Sequence, residues 1–302
     1  MLRAVAVRAF AAVTVTGVST IRATGVEIPL PPQRLRHMRD TDEKFVAHGE
    51  QLARFCYRLG LRDGDEILDV GCSVGRLAVG LLTGTDFAGR YVGFDVIASH
   101  VRWARRHLTP LAPDFHFRHA DVANDRYNPD GKVAPEDLVF PARTGGFHFA
   151  VLFSVFTHFY ASDIQVYLGE LNRVLRPGGH VLTSWFLYDD ETYERASTTS
   201  AYPMTHRLDD TAIYNDADDP LRAIAFHEDQ VHAWIAAAGF EVVTIEHGLW
   251  NGGAGPEFQD HILLRKPAPP AEVTSRARDA ARHVRHGLGR VRRAVTDRGT
   301  SS

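Results

Sequence analysis

A glycine-punctuated loop, three strand-end carboxylates and one histidine carry the chemistry available to this sequence. Residues 67–75 read Ile-Leu-Asp-Val-Gly-Cys-Ser-Val-Gly, an apolar run that breaks into small residues and continues as Arg76-Leu77-Ala78-Val79-Gly80-Leu81-Leu82. A strand, a tight loop and a helix in that order open a nucleotide-type site in a doubly wound α/β sheet. The glycines let backbone approach a ligand where a Cβ would clash. The dinucleotide fingerprint requires glycine at the first, third and sixth loop positions. Here those positions hold Gly71, Ser73 and Arg76, so that fingerprint fails. Asp95 ends the run Tyr91-Val92-Gly93-Phe94, about twenty residues after the loop, where a carboxylate can accept both hydroxyls of a ribose. His158 follows another apolar run, Phe149-Ala150-Val151-Leu152-Phe153. A histidine there can take a proton from a reacting hydroxyl.

The elements that must hold these groups arrive in sequence. Phe115-His116-Phe117-Arg118-His119 predicts a third strand running into Ala120-Asp121-Val122, and the fourth leads to Ser154-Val155-Phe156-Thr157-His158. A helix ending Glu170-Leu171-Asn172-Arg173-Val174-Leu175 meets Arg176-Pro177-Gly178-Gly179 before the strand His180-Val181-Leu182-Thr183-Ser184-Trp185. Pro cannot continue a helix, and Gly supplies a left-handed turn into the next strand. Upstream, Asp40 or Thr41 can cap a helix running to about Leu59, with Phe45, Leu52, Phe55 and Cys56 on one face.

Asp69, Gly71 and Gly75 resemble the first motif of class I S-adenosylmethionine (SAM) methyltransferases. The strand-end acids and the helix, Arg-Pro-Gly-Gly and strand that follow resemble the later motifs of that family, over roughly residues 28–266. The resemblance implies a Rossmann-like α/β fold: a seven-stranded sheet with helices on both faces and a substrate cap built from insertions. It implies SAM as cofactor, held by Asp69, Gly71, Cys72, Ser73 and Gly75 of the loop. Asp95 and Val96, Asp121 and Val122, and Ser154 complete the expected cofactor set, with Asp121 at the position that meets the adenine amino group. The segment 154–158, with Asp163 and Tyr167, resembles a bacterial subgroup; so does Gly248-Leu249-Trp250 followed by Phe258-Gln259-Asp260. Members of that subgroup act on sugars, glycolipids or other secondary metabolites. The chain departs from the pattern at Ser73, where glycine is commonest, which alters backbone approach to the methionine part of SAM.

Composition narrows the class. The chain has 302 residues, 44% hydrophobic and 24% charged, as in an ordinary globular protein. Its net charge of −3 lacks the basic footprint of a nucleic-acid enzyme. Two cysteines, Cys56 and Cys72, argue for a reducing cytoplasm and against a disulfide framework, and no Cys/His spacing suggests a metal. Residues 1–27 hold Arg3, Arg8 and Arg22 with no acid before Glu27 and no unbroken apolar span. They read as a disordered extension or as a start assigned too early; as a signal peptide they are poorly formed. The catalytic domain is expected over 28–268. Two insertions interrupt it: residues 122–146, with turn chemistry at Asn128-Pro129-Asp130-Gly131, and about 186–226, a lid rich in aromatics. The tail, 269–302, carries eight arginines against three acids, and Ala277, Ala281, Val284, Leu288, Val291 and Val295 form an a/d stripe. It reads either as a solvated tail or as a basic helix resting on an anionic membrane surface or a partner. The oligomeric state is open.

For a methyl carried on a sulfonium, the protein must place a nucleophile in line and exclude water. A base beside a hydroxyl nucleophile adds roughly 10²–10⁴-fold. His158 is the candidate base, with His206 and His247 next; the alternative is that its ring only hydrogen-bonds backbone in the following turn. Tyr160, Tyr188, His206 and Trp250 are candidate substrate contacts, and the aromatics equally fit a core. Three activities remain open: O-methylation of a saccharide, glycolipid or polyketide-like small molecule; N- or C-methylation on the same fold; or SAM binding without catalysis. No metal is expected.

Overall fold

The computed structural model describes residues 13–15, 18–23, 25–36, 39–198 and 202–268. Three short N-terminal strands, β1 (Val13–Val15), β2 (Val18–Ala23) and β3 (Val26–Pro29), pair antiparallel. These strands fall largely within the stretch 1–27 expected as an extension. Apolar Ile28 and Leu30 are buried in the same cluster as the next helix, and burying them offsets the entropy of ordering the hairpin. Helix α1 (Asp42–Arg58) follows, with Thr41 as N-cap, its hydroxyl 3.4 Å from the Lys44 N–H.

From there strands and helices alternate: β4 (Glu66–Val70), α2 (Arg76–Gly84), β5 (Arg90–Asp95), α3 (Ala98–His107) and β6 (Phe115–His119). After the first insertion come β7 (Phe147–Leu152), α4 (Ala161–Val174) and β8 (Leu175–Trp185). The cap holds β9 (Leu187–Tyr188), α5 (Tyr193–Thr198), β10 (His206–Arg207), β11 (Ala212–Tyr214) and β12 (Ile224–His227). Helix α6 (Glu228–Ala237), β13 (Glu241–Glu246) and β14 (Asp260–Arg265) complete the described chain.

The main sheet has seven strands in the order β13-β14-β8-β7-β4-β5-β6. Pairing is parallel from β8 to β6, and β14 alone runs against its neighbours. This is the Rossmann-like seven-stranded sheet expected from the sequence. Strand order reverses at β4, between β5 and β7, and a crevice opens there beyond the carboxyl ends of the strands. Apolar clusters on the two faces bury the sheet, so its central strands are apolar on both sides rather than alternating.

Two glycines bring α1 against α2. A Cβ on Gly80 would lie 1.9 Å from the Gly49 carbonyl oxygen, so any larger residue pushes the helices apart. The helix-to-strand junction at 174–176 differs from the expected turn: α4 ends at Val174, β8 begins at Leu175, and only Gly178, at φ +78°, takes the left-handed conformation. The first insertion is only partly a wall. Val122 bridges to Val133 and Asn124 to Asn128, while Leu138 and Phe140 enter the core. The cap is a four-stranded sheet, β10-β11-β12-β9, on its own small apolar cluster. Expectations for the tail beyond Ala268 lie outside the described residues.

Candidate active site

The crevice at the β4 switch point is a cleft of about 490 Å³. Its floor is the glycine loop. Gly71 at φ +78° and Gly75 at φ +82° take conformations that side chains rarely adopt, and Gly75 serves as N-cap of α2. A Cβ at Gly71 would lie 2.7 Å from Val155 Cγ2. Asp95, at the end of β5, is buried and faces the loop. Its Oδ2 accepts the Ser73 N–H at 2.8 Å and its Oδ1 the Ile97 N–H at 2.8 Å. Burial pushes this carboxyl up, and the two backbone donors oppose the shift. Each oxygen has capacity to accept a further hydrogen bond.

Val96, Val122 and Ser154 also line the cleft, as does Ser73. Ser154 stands at the end of β7 with φ +55°; its N–H is 2.6 Å from Ser184 Oγ and its hydroxyl donates to Gln259 Oε1 at 2.9 Å. Four members of the expected cofactor set, Asp69, Cys72, Gly75 and Asp121, do not line this cleft. Asp69 is buried beneath the loop, in the wall of a small cavity that shares Gly71, Ser73 and Arg76 with the cleft, and its carboxylate accepts the Tyr91 hydroxyl at 2.6 Å; burial raises its pKa to about 7. Cys72 is buried against Gly93, and burial pushes its thiol up. Asp69 near the end of β4 and Cys72 within the loop both line that small cavity. The Asp121 carboxylate accepts from Asn128 Nδ2 at 3.2 Å inside the first insertion, so Val122, Ala123 and Asn124 form the wall.

The candidate base lies in the cleft. His158 falls in a 3₁₀ turn (Phe156–His158) beyond β7, and its Nδ1 is 2.9 Å from the Leu221 carbonyl oxygen in the cap. A carbonyl only accepts, so Nδ1 carries the proton and Nε2 is the basic nitrogen. The ring of Tyr127 meets this imidazole edge-on at 5.7 Å. Phe159, Asp163 and Tyr167 continue the wall.

The expected substrate contacts lie outside the lining of this cleft. Trp250 is 1% exposed, with its indole N–H donating to Asp260 at 2.6 Å, so it is core of the cap. Tyr188 is buried in the same cluster. His206 stacks on Tyr214 across β10 and β11, away from the cleft. His247 is surface-exposed near Asp260 and Glu228, also outside the cleft. Tyr160 lines a neighbouring cavity that shares Tyr127 with the cleft and holds Leu221 in its wall. Sequence reasoning missed Arg76, His48 and His100. Arg76 opens α2 and donates to His48 Nδ1 at 3.0 Å, and burial lowers its pKa. The approach of α1 to α2 delivers His48, and no local pattern signals that pairing.

A model of the methyltransferase domain matches residues 41–245. This chain belongs to the methyltransferase domain family. In fold, the methyltransferase is similar to a protein from Pyrococcus horikoshii OT3 at 14% identity, with a TM-score of 0.50 over 76% of this chain and 92% of that one. A SAM-dependent methyltransferase from Methanosarcina mazei matches at 19% identity, with a TM-score of 0.47 over 71% and 98%. A glycopeptide N-methyltransferase solved with S-adenosylhomocysteine matches at 16%, with a TM-score of 0.48 over 72% and 90%.

The cofactor of the methyltransferase is SAM, and the residues present fit it. A buried carboxylate, Asp95, suits a ribose diol; Val96, Ile97 and Val122 suit a flat apolar base; a guanidinium, Arg76, suits an amino-acid carboxylate.

Proposed function

We propose that this methyltransferase methylates a hydroxyl of a small-molecule acceptor, such as a saccharide, a glycolipid or a polyketide-like metabolite, with His158 as general base. Gly71, Ser73, Asp95, Val96, Val122, Ser154 and Arg76 would hold the cofactor. Bound SAM supplies an electrophilic methyl on a positively charged sulfur. The chain has then to orient the acceptor, exclude water and receive a proton. One observation carries the reading: the Leu221 carbonyl sets the tautomer of His158, so a basic Nε2 belongs to the wall of the glycine-loop cleft. His158→Ala is expected to lower kcat at least about 100-fold while leaving SAM affinity unchanged, and to remove the acid limb of the rate profile. Near-normal turnover would place the base elsewhere.

A second reading, N-methylation, is favoured by Asp163. This carboxyl stands in the cleft wall, half-buried; burial raises its pKa, and Asp125 and Glu136 raise it further. Such a negative end suits an amine. An activity unaffected by His158→Ala but abolished by Asp163→Asn would support it. For location we propose the cytoplasm, in keeping with two buried free thiols. No helix among the described residues is long and apolar enough to cross a membrane.

A further inference from the structure

Ser73 is a non-glycine residue of the glycine loop that sits at φ +50°, where a side chain is strained. Four hydrogen bonds close a ring through it. The Ser73 N–H donates to Asp95 Oδ2 at 2.8 Å. The Ser73 hydroxyl is 3.1 Å from His100 Nδ1. The His100 N–H donates to the Ile97 carbonyl at 3.0 Å, and the Ile97 N–H donates to Asp95 Oδ1 at 2.8 Å. The ring joins the glycine loop, the end of β5 and the first turn of α3, and Ser73, Asp95, Ile97 and His100 all line the cleft.

We propose that His100 is a positioning residue for cofactor binding: by holding the Ser73 hydroxyl it keeps a non-glycine residue in the left-handed conformation that aims the Ser73 N–H at Asp95. A glycine at position 73 would adopt that conformation unaided. Serine needs a partner, and His100 is placed to be it. Burial favours the neutral imidazole, which can share one hydrogen bond with a hydroxyl in either direction. The other charged and titratable neighbours are Asp95 itself and His119, whose Nε2 is 3.0 Å from the Val96 carbonyl oxygen. The proposal rests on SAM occupying this cleft and is independent of the role of His158.

The test is calorimetric binding of S-adenosylhomocysteine to four proteins: the natural chain, Ser73→Gly, His100→Ala and the double variant, each checked for folding by thermal melting. His100→Ala is expected to weaken binding about tenfold, the scale of one hydrogen bond. Ser73→Gly sets its own reference affinity, and adding His100→Ala to it is expected to change that affinity by less than about threefold. That loss of effect separates positioning from a general loss of packing at α3, which a glycine at position 73 would not repair. Losses that multiply in the double variant would mean that His100 touches the cofactor directly, and would overturn the proposal. Unchanged affinity in His100→Ala would overturn it too. Failure of the natural chain to bind S-adenosylhomocysteine would instead overturn the cofactor site, and this inference with it.

Discussion

The two walls of the cleft are built on different scales. The cofactor wall is continuous parallel sheet: Asp69 pairs with Gly93 and Asp95 with His119, and the loop between β4 and α2 places its groups within a few residues of one another. The wall proposed to face the acceptor is assembled from distant pieces. Strands of two to four residues make up the cap sheet, and single pins secure it. Asp260 is the main one: its buried carboxylate accepts the N–H of Leu187 at 2.6 Å, that of Gly248 at 2.7 Å and the Trp250 indole at 2.6 Å. Arg126 of the first insertion pairs with Asp219 of the cap, beside the Leu221 carbonyl that orients His158. The lesson is that local sequence can prepare a ligand-binding floor, while the reacting side waits on long-range contacts.

The difference breaks most visibly at Asp260. Asp260→Ala leaves three buried donors without an acceptor and is expected to cost about 4 kcal/mol of stability, read by chemical denaturation. Loss of less than about 1 kcal/mol would show that the cap does not hang on this carboxylate. On the opposite wall, Asp95→Ala is expected to weaken S-adenosylhomocysteine binding by about 1.5–3 kcal/mol, measured by calorimetry, while the cap is undisturbed. Equal affinity in a folded variant would remove Asp95 from the cofactor site.

Asp69 sharpens the contrast through pH. Its folded pKa is raised to about 7 by burial, above the ordinary value of 3.8. The folded state therefore holds a proton that the unfolded chain releases, so its contribution to stability is full below pH 4 and is lost as pH rises through about 7. The two values lie about three units apart, so a loss of up to about 4 kcal/mol between pH 4 and pH 8 is expected from this group, and Asp69→Asn should flatten that part of the stability profile. An unchanged slope would mean that other groups carry it. The smallest effect is expected at the surface. Arg126→Ala removes a partly exposed ion pair, and about 0.5 kcal/mol of stability should go with it. Its effect on kcat should exceed its effect on stability if the pair positions Leu221; an unaltered kcat would free His158 from any dependence on it.

How much of this was legible in sequence follows the same division. The strand-loop-helix around Gly71, the acid at Asp95 and the alternation of elements were readable because each is written in neighbouring residues. The N-terminal hairpin was not, because Thr, Gly and Arg between its apolar residues blur a period-2 signal until Ile28 and Leu30 find the core. Trp250 and Tyr188 read equally as substrate contacts or as core, since an aromatic looks the same in sequence whether it faces ligand or core. Only Asp260, arriving from another strand, turns the indole inward.

By itself the sequence determined the class of sheet, the glycine loop and the kind of cofactor, through short-range patterns whose geometry follows from strand period and backbone sterics. Tertiary structure alone decided that Asp69 is buried beneath the loop, that His48 meets Arg76, that His100 holds Ser73 and that the Leu221 carbonyl selects the tautomer of His158. Each of those depends on bringing together groups far apart in the chain. Their free energy comes from burial and hydrogen bonding in the assembled fold, which no local pattern encodes.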